Sequence, residues 1–370
     1  MTKQQALSGR GKNRLNSSEE EVLARIEGFR RRRPRLTDEF ITMAHGAGGK
    51  ASAALVDAVF VEAFGEPAAG ELTDGATLAV GAGRLAFSTD SYVVSPIRFP
   101  GGSIGDLAVN GTVNDLSVSG ARPAWLSAAF VLEEGLSVAT LRQVVADMAA
   151  AARQAGVTIV TGDTKVVPRG AADKLYITTS GIGAIPDGRT LGAAQVRPGD
   201  RLVLSGPLGD HGMAVMLARG NLALEADIRS DSAPVNGLVE ALYAVTDEIR
   251  WMRDATRGGL GTVANEFAQV SGLGVLLKEE ALPVRPTVRS ACDMLGIDPL
   301  YVANEGCFAA IVAAEAVGPA VAALQAAGAR EAAVVGEVRD DLPGLVAVRN
   351  GFGGTRLVDM LVGDALPRIC

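Results

Sequence analysis

The sequence predicts a two-domain enzyme of mixed helix and strand, and three observations carry that prediction. The chain has 370 residues, more than one ordinary hydrophobic core accommodates. Hydrophobic residues make up 48% of it and aromatic residues only 4%, with 45 glycines, which points to an Ala/Val/Leu-packed α/β or α+β interior joined by tight turns. Strand-like alternation and helix-like spacing also follow one another along the chain, as a mixed fold requires.

Residues 1–37 read as a basic N-terminal extension. SSEEEVLARIEGFRRRRP has the pattern of one amphipathic helix, with Ser18 and Glu21 as a capping box, Val22, Ile26 and Phe29 on one stripe, and Pro34 as its stop. A solvated peripheral helix and a contact helix for an acidic partner both fit. A first domain spans 38–190. In it, LAFSTDSYVV (85–94) reads as a strand. GGSIGDLAVNGTVNDLSVSGARP reads as a helix with Ile104, Leu107, Ala108 and Leu116 at helical spacing. SVATLRQVVADMAAAARQAG reads as a second helix, capped by Ser137 and stopped by Gly156, and VTIV as a short buried strand emptying into TGDTK. A second domain spans 191–358, with helices expected around 213–220, 235–246, 259–270 and 315–328, and strands near 332–338, 345–349 and TRLVDMLV. Residues 359–370 form a tail ending in Cys370.

Charge and composition exclude several function classes. The net charge of −7 argues against nucleic-acid binding. Residues 1–35 hold ten Lys/Arg against four Glu, a surplus of six, so the remainder carries −13. Three cysteines, none in a CxxC pair, and two histidines (His45 and His211) leave no zinc site or disulfide framework. No stretch has the length and apolarity of a membrane span, and the start lacks a signal peptide's apolar core, so a cytoplasmic protein is expected. HGAGGKAS lacks the first glycine of a P-loop, Ala44 standing in its place, and no GxGxxG follows a strand.

What chemistry the chain offers lies in short acidic and amide side chains beside glycine. These are Asp74, Asp90, Asp115, Asp163 and Asp254, with Asn110 and Asn114 four residues apart on one helix face. Such oxygen donors suit Mg²⁺, which usually accompanies phosphates. Arg257, Gly258 and Gly259 open a glycine-rich helix start able to hold an anion. Each aspartate alone is more often a turn cap than a ligand.

Taken together, HGAGG, the block from Thr89 to Pro123, TGDTKVV, GDHG, ATRGGL, VANEG and the closing PRIC resemble the HypE family of hydrogenase maturation proteins, within the aminoimidazole ribonucleotide synthetase superfamily. The likeness runs from about residue 41 to 370. It implies an α+β, two-domain PurM-like fold: an N-terminal α/β domain that binds ATP and pairs strands in a homodimer, and a C-terminal α+β domain. It further implies metal on Asp74, Asp90, Asp115, Asp163 and Asp254, and ATP held by Asp90, Asn110, Asn114, Thr161, Gly162, Asp163, Arg257, Gly258 and Gly259. Cys370 would be carbamoylated by the carbamoyltransferase HypF. The S-carboxamide would then lose water in an ATP-dependent step, with Glu305 as base and Lys165 beside the reacting group, and the cyanide would pass to a HypC–HypD iron complex. From Val362 to Cys370 an extended tail reaches on the order of 25 Å, enough for such a carrier arm. Cys292 and Cys307 are expected as packed thiols. Selenophosphate synthetase, thiamine-monophosphate kinase and a non-catalytic thiol carrier are the rival readings. The first lacks its reactive N-terminal-loop cysteine here, and the second leaves Cys370 without a purpose.

Overall fold

A computed structural model describes residues 35–42, 45, 50–65, 83–220 and 226–359. Asp74, Cys370 and the expected N-terminal helix lie outside the described residues.

A helical segment begins at Lys50–Leu55, passes through a π-helical turn at Val56–Val61 and ends at Glu62–Phe64. Strand β1 (Arg84–Tyr92) follows, then a two-residue hairpin, β2 (Arg98–Phe99) and β3 (Gly102–Ser103). Helix α1 (Ile104–Val118) starts in a full capping box: the Ser103 hydroxyl accepts from the Gly105 amide at 3.2 Å, and the Asp106 carboxylate accepts from the Ser103 amide at 2.6 Å. Next come β4 (Arg122–Glu133), α2 (Val138–Ala155), β5 (Thr158–Val167) and β6 (Leu175–Ile185).

The four long strands form one sheet in the order β1-β6-β4-β5, antiparallel except for the β4–β5 pair. α1 and α2 cover one face. α2 buries Leu141, Val144, Val145 and Met148 completely, each contributing roughly 1.5–3 kcal/mol by apolar burial. The opposite face has no helix over it among the described residues, and Leu85 and Phe87 stand exposed there, Phe87 at 70%.

Two expectations need correction. Ser137 occupies the N-cap of α2, yet its hydroxyl makes no capping bond; the Val138 amide donates instead to the Glu39 carbonyl. The strand expected at VTIV continues through TGDTK to Val167, because β4 is long enough to pair with all of it, down to Glu133 opposite Val167.

The second half holds β7 (Arg201–Leu204), α3 (Asp210–Ala218), α4 (Asn236–Tyr243), β8 (Ile249–Asp254), α5 (Gly259–Ser271), β9 (Gly274–Lys278) and α6 (Pro286–Leu295). β10 (Phe308–Val312), α7 (Val317–Ala326), β11 (Ala333–Arg339), β12 (Val346–Arg349) and β13 (Thr355–Val358) complete it. Its seven-stranded sheet has the order β13-β12-β9-β11-β7-β10-β8. α5 packs on one face, and α4 and α7 on the other. α3 and α6 instead join the first half's core through Met213, Val215, Val288 and Cys292. The two halves are therefore packed together along α1, whose neighbours include β1, α4 and β8. α6 was absent from the sequence-based expectation, although Pro286 opens it at the first turn and its buried residues Val288, Ala291 and Cys292 recur at helical spacing. Among the described residues, no helix is long and apolar enough to cross a membrane.

Candidate active site

The site is built around α1, from both halves of the chain. On β1, the side chains of Ser88 and Asp90 share the face turned to α1, by strand alternation. Ser88 donates to Asp115 on α1 at 2.5 Å. From the second half, Asp254 ends β8, and the loop 304–307 runs alongside it: the Ala255 amide donates to the Cys307 carbonyl and the Asn304 amide to the Ala255 carbonyl, both at 2.9 Å. This two-way backbone pairing fixes Glu305 near Asp254.

The electrostatics are those of like charges gathered out of water. Glu305 is buried, and that burial pushes its carboxyl well above the usual range, with the charges of Asp254, Asp231, Asp90 and Asp115 adding to the effect. Burial, helped by Asp115, pushes Asp254 up to about 7 against the opposing pull of Arg253. Asp115 is raised for the same first reason, partly offset by the hydrogen bond from Ser88. A cleft of about 420 Å³ opens at Asp115 and Asp254, lined also by Phe87, Ser88, Arg253 and Arg257, among others.

The remaining expected residues fall into three sets. Asn110 and Asn114 do lie on one face of α1, but that face meets the second half. Asn114 donates to the carbonyls of Ala233 and Glu305 at 3.1 Å and accepts from the Val235 amide at 2.8 Å, so its amide is engaged with backbone. Asn110 donates to Ser232 at 3.1 Å, and its buried Oδ1 has no partner. Arg257 borders the cleft, and Gly258 and Gly259 start α5 in the left-handed region (φ 75° and 58°). A side chain at Gly259 would meet the carbonyl oxygens of Leu300 and Val302 at 2.5 and 2.7 Å, so this turn can approach the 300–305 loop only with glycine.

Thr161, Gly162, Asp163 and Lys165 form the third set, on β5. Register places Asp90, Thr179, Ala128 and Gly162 in one row across the sheet, so β5 lies three strands, roughly 14 Å, from Asp90. Asp163 and Lys165 pair with Ala129 and Val131, on the face away from α1, where Lys165 and Asp163 form an exposed 3.4 Å ion pair. Within one chain Lys165 is therefore not beside Glu305, because the sheet itself separates them.

Cys292 and Cys307 are buried thiols, pushed up by that burial to about 11 and 12, which suits packing and not nucleophilic attack. Asp231, in SDSAP, was not singled out in the sequence; it sits directly against the Glu305 loop. Among the described residues, no three Asp, Glu, His or Cys side chains converge tightly enough to ligate one ion as placed.

Residues 72–185 match the N-terminal domain family of AIR synthase related proteins, and residues 197–346 match its C-terminal domain family. A relative from Rhodobacter capsulatus, carbamoyl dehydratase HypE, is 54% identical over 342 residues, covering 90% of this chain and 99% of its own. A crystal structure of hydrogenase maturation protein HypE in complex with ATP is similar with a TM-score of 0.85 at 48% identity, covering 89% of this chain and 99% of that one. A crystal structure of a HypE–HypF complex is similar with a TM-score of 0.73 at 44% identity, over 83% of this chain and all (100%) of that one.

Proposed function

The chain belongs to the HypE family of carbamoyl dehydratases, and from that premise we propose that it converts a carbamoyl group carried on its own Cys370 into a thiocyanate, using ATP, in hydrogenase maturation. The observation that carries this reading is the buried Glu305, surrounded by aspartates beside a cleft that both halves line.

The chemistry follows from the carboxamide. Its oxygen leaves poorly, so water is not lost unaided. Attack of that oxygen on the γ-phosphorus of ATP forms the O–P bond and releases ADP. The phosphorylated carboxamide gives up one N–H proton to solvent to become a neutral imidate, and Glu305 then takes the second N–H proton as the C–O bond breaks. Phosphate departs, and the nitrogen lone pair completes C≡N. In sum, carboxamide and ATP become thiocyanate, ADP and phosphate. A glutamate held high by burial is a stronger base once its proton is gone, which suits this removal. Arg253 and Arg257 line the cleft, where they would meet the phosphates of bound ATP, and positioning and charge neutralisation supply most of phosphoryl-transfer catalysis.

The residues present fit Mg²⁺. Asp90, Asp115 and Asp254 repel one another where Glu305 is also buried, and such carboxylates are the hard oxygen donors this ion takes. Those aspartates would hold the ion, with Asp74 as the further ligand that the resemblance implies. Bound there, Mg²⁺ neutralises charge on the transferring phosphoryl group.

Lys165 and Asp163 enter this reading through a homodimer. They project from the sheet face that bears exposed Phe87, and a second copy packed on that face would bring its β5 toward the first chain's cleft. HypF, found in complex with a HypE relative, is the carbamoyl donor for Cys370, and a HypC–HypD complex is the cyanide acceptor.

The test is mass spectrometry of the C-terminal peptide. The chain is incubated with HypF, carbamoyl phosphate, Mg²⁺ and ATP. Gain of one carbamoyl group on Cys370, then ATP-dependent loss of one water, is the expected result. An adduct that never dehydrates leaves only a carrier, and no adduct on Cys370 removes the reading.

A further inference from the structure

Glu305 stands on a loop, and a base must be held within a few tenths of an ångström of its proton. The structure shows what holds this one. One carboxylate oxygen of Asp231 accepts from the Glu305 amide at 3.0 Å. The other accepts from the Gly306 amide at 3.1 Å and from the Asn304 side-chain amide at 3.0 Å. On the other side of Glu305, its carbonyl accepts from Asn114 at 3.1 Å. The backbone on both sides of Glu305 is thus tied down by side chains from two other segments.

The Asp231 segment is itself rigidly seated. Ser230 meets His211 Nδ1 at 2.8 Å, and Ser232 donates to Asp106 at 2.9 Å, so the residues flanking Asp231 are tied to α3 and to the first turn of α1. The approach is close enough to dictate sequence: a Cβ at Gly306 would lie 1.9 Å from the Asp231 carbonyl oxygen. An aspartate that merely capped its own turn would direct its oxygens to its own chain neighbours. Asp231 directs both to the Asn304–Glu305–Gly306 loop, more than seventy residues away.

We propose that Asp231 is a positioning residue for the dehydration: it clamps the Glu305 loop so that the Glu305 carboxyl is aimed at the carboxamide nitrogen. This rests on Glu305 acting as the base in the reading above. In Asp231→Asn, one oxygen that accepts from the loop becomes an N–H₂ group facing another donor, so one side of the clamp is lost while size is kept.

The experiment uses the full chain loaded with carbamoyl by HypF and freed of nucleotide, then mixed with ATP and Mg²⁺. The single-turnover dehydration rate is read by mass spectrometry of the C-terminal peptide, across ATP concentrations. Asp231→Asn should lower the saturated rate about 10- to 100-fold, on the scale of misplacing a catalytic group, while the half-saturating ATP concentration moves less than about threefold. Added to Glu305→Gln, it should lower the rate little further, since the base it aims is gone. A saturated rate equal to wild type, or a loss that adds in full to that of Glu305→Gln, overturns the proposal. If Asp231→Asn does not fold, Asp231→Glu carries the test: it keeps every acceptor but displaces the loop by one methylene, and a wild-type rate from it is equally fatal. Failure of the underlying reading looks different. There the wild-type chain does not dehydrate, or Glu305→Gln dehydrates at the wild-type rate.

Discussion

Two sets of charged residues in this chain sit in opposite circumstances. Around Glu305, four acidic side chains from β1, α1, β8 and a loop are gathered from both halves, and burial, with mutual repulsion added, holds Glu305, Asp254 and Asp115 above the ordinary carboxylate range. On β5, Asp163 and Lys165 are exposed, already paired at 3.4 Å, and turned to the other face of the sheet. The first set gathers like charges out of water. The second is satisfied, and idle within one chain. Under the proposed reading, the difference means that one part of the chemistry is gathered within a single chain, while the other stands on a surface that a second copy would have to meet.

The largest effect should come from the first set. Glu305→Gln removes the base but keeps size and most hydrogen bonding, so ATP binding should persist while dehydration falls by roughly 10²–10⁴. Mass spectrometry of the C-terminal peptide and a nucleotide-binding titration read the two separately. Retained dehydration would move the base elsewhere and dissolve the contrast between the sets.

The second set is best tested by complementation. Lys165→Ala and Glu305→Gln chains are each expected to be inactive alone. If Lys165 serves the cleft of a second copy, mixing and exchanging the two should restore about a quarter of wild-type activity, because half the dimers are mixed and each has one intact site. No recovery from demonstrably mixed dimers would place Lys165 in its own chain's site or outside the chemistry. Phe87→Glu probes the surface itself. Placing a charge on that 70%-exposed aromatic should convert dimers to monomers in light scattering and abolish the complementation, while the fold of each chain survives.

How much of this was legible beforehand follows the same division. A two-domain mixed fold was legible from length, composition and the helical spacing of α2, while its likeness to the AIR synthase related family came from the motifs as a set. The aspartates were legible as a type, short oxygen donors suited to a metal and phosphates. Their grouping was not: Asp90, Asp115, Asp254 and Glu305 lie as far as 215 positions apart, and only the packing of α1 between the halves brings them together. Asn114 illustrates the limit best. Its spacing from Asn110 was read correctly as one helix face, but only the structure shows that this face meets backbone from the second half. Lys165 shows the converse, a residue whose motif is plain and whose place in its own chain does not account for the role the resemblance gives it.

The smallest effect concerns the support behind the assembled set. His211 is fully buried against Phe99 and Ser230, and burial lowers its pKa from 6.5 to about 3. The unfolded chain therefore binds a proton that the folded one refuses, so stability from this group is complete above pH 6.5 and is lost as pH falls toward 3. The shift sets an upper bound of about 4–5 kcal/mol. Its neighbour Asp210 opposes the trend in part: burial, against the pull of Arg285, raises it from 3.8 to about 6, so its contribution is present below pH 3.8 and lost as pH rises through 6. His211→Asn keeps a polar group toward Ser230 but removes the titration. Its melting temperature should fall less steeply than that of the wild type between pH 6.5 and 3. Equal slopes would mean that the acid sensitivity of this chain lies with its carboxylates alone, and that the strut behind Asp231 does not depend on a neutral imidazole.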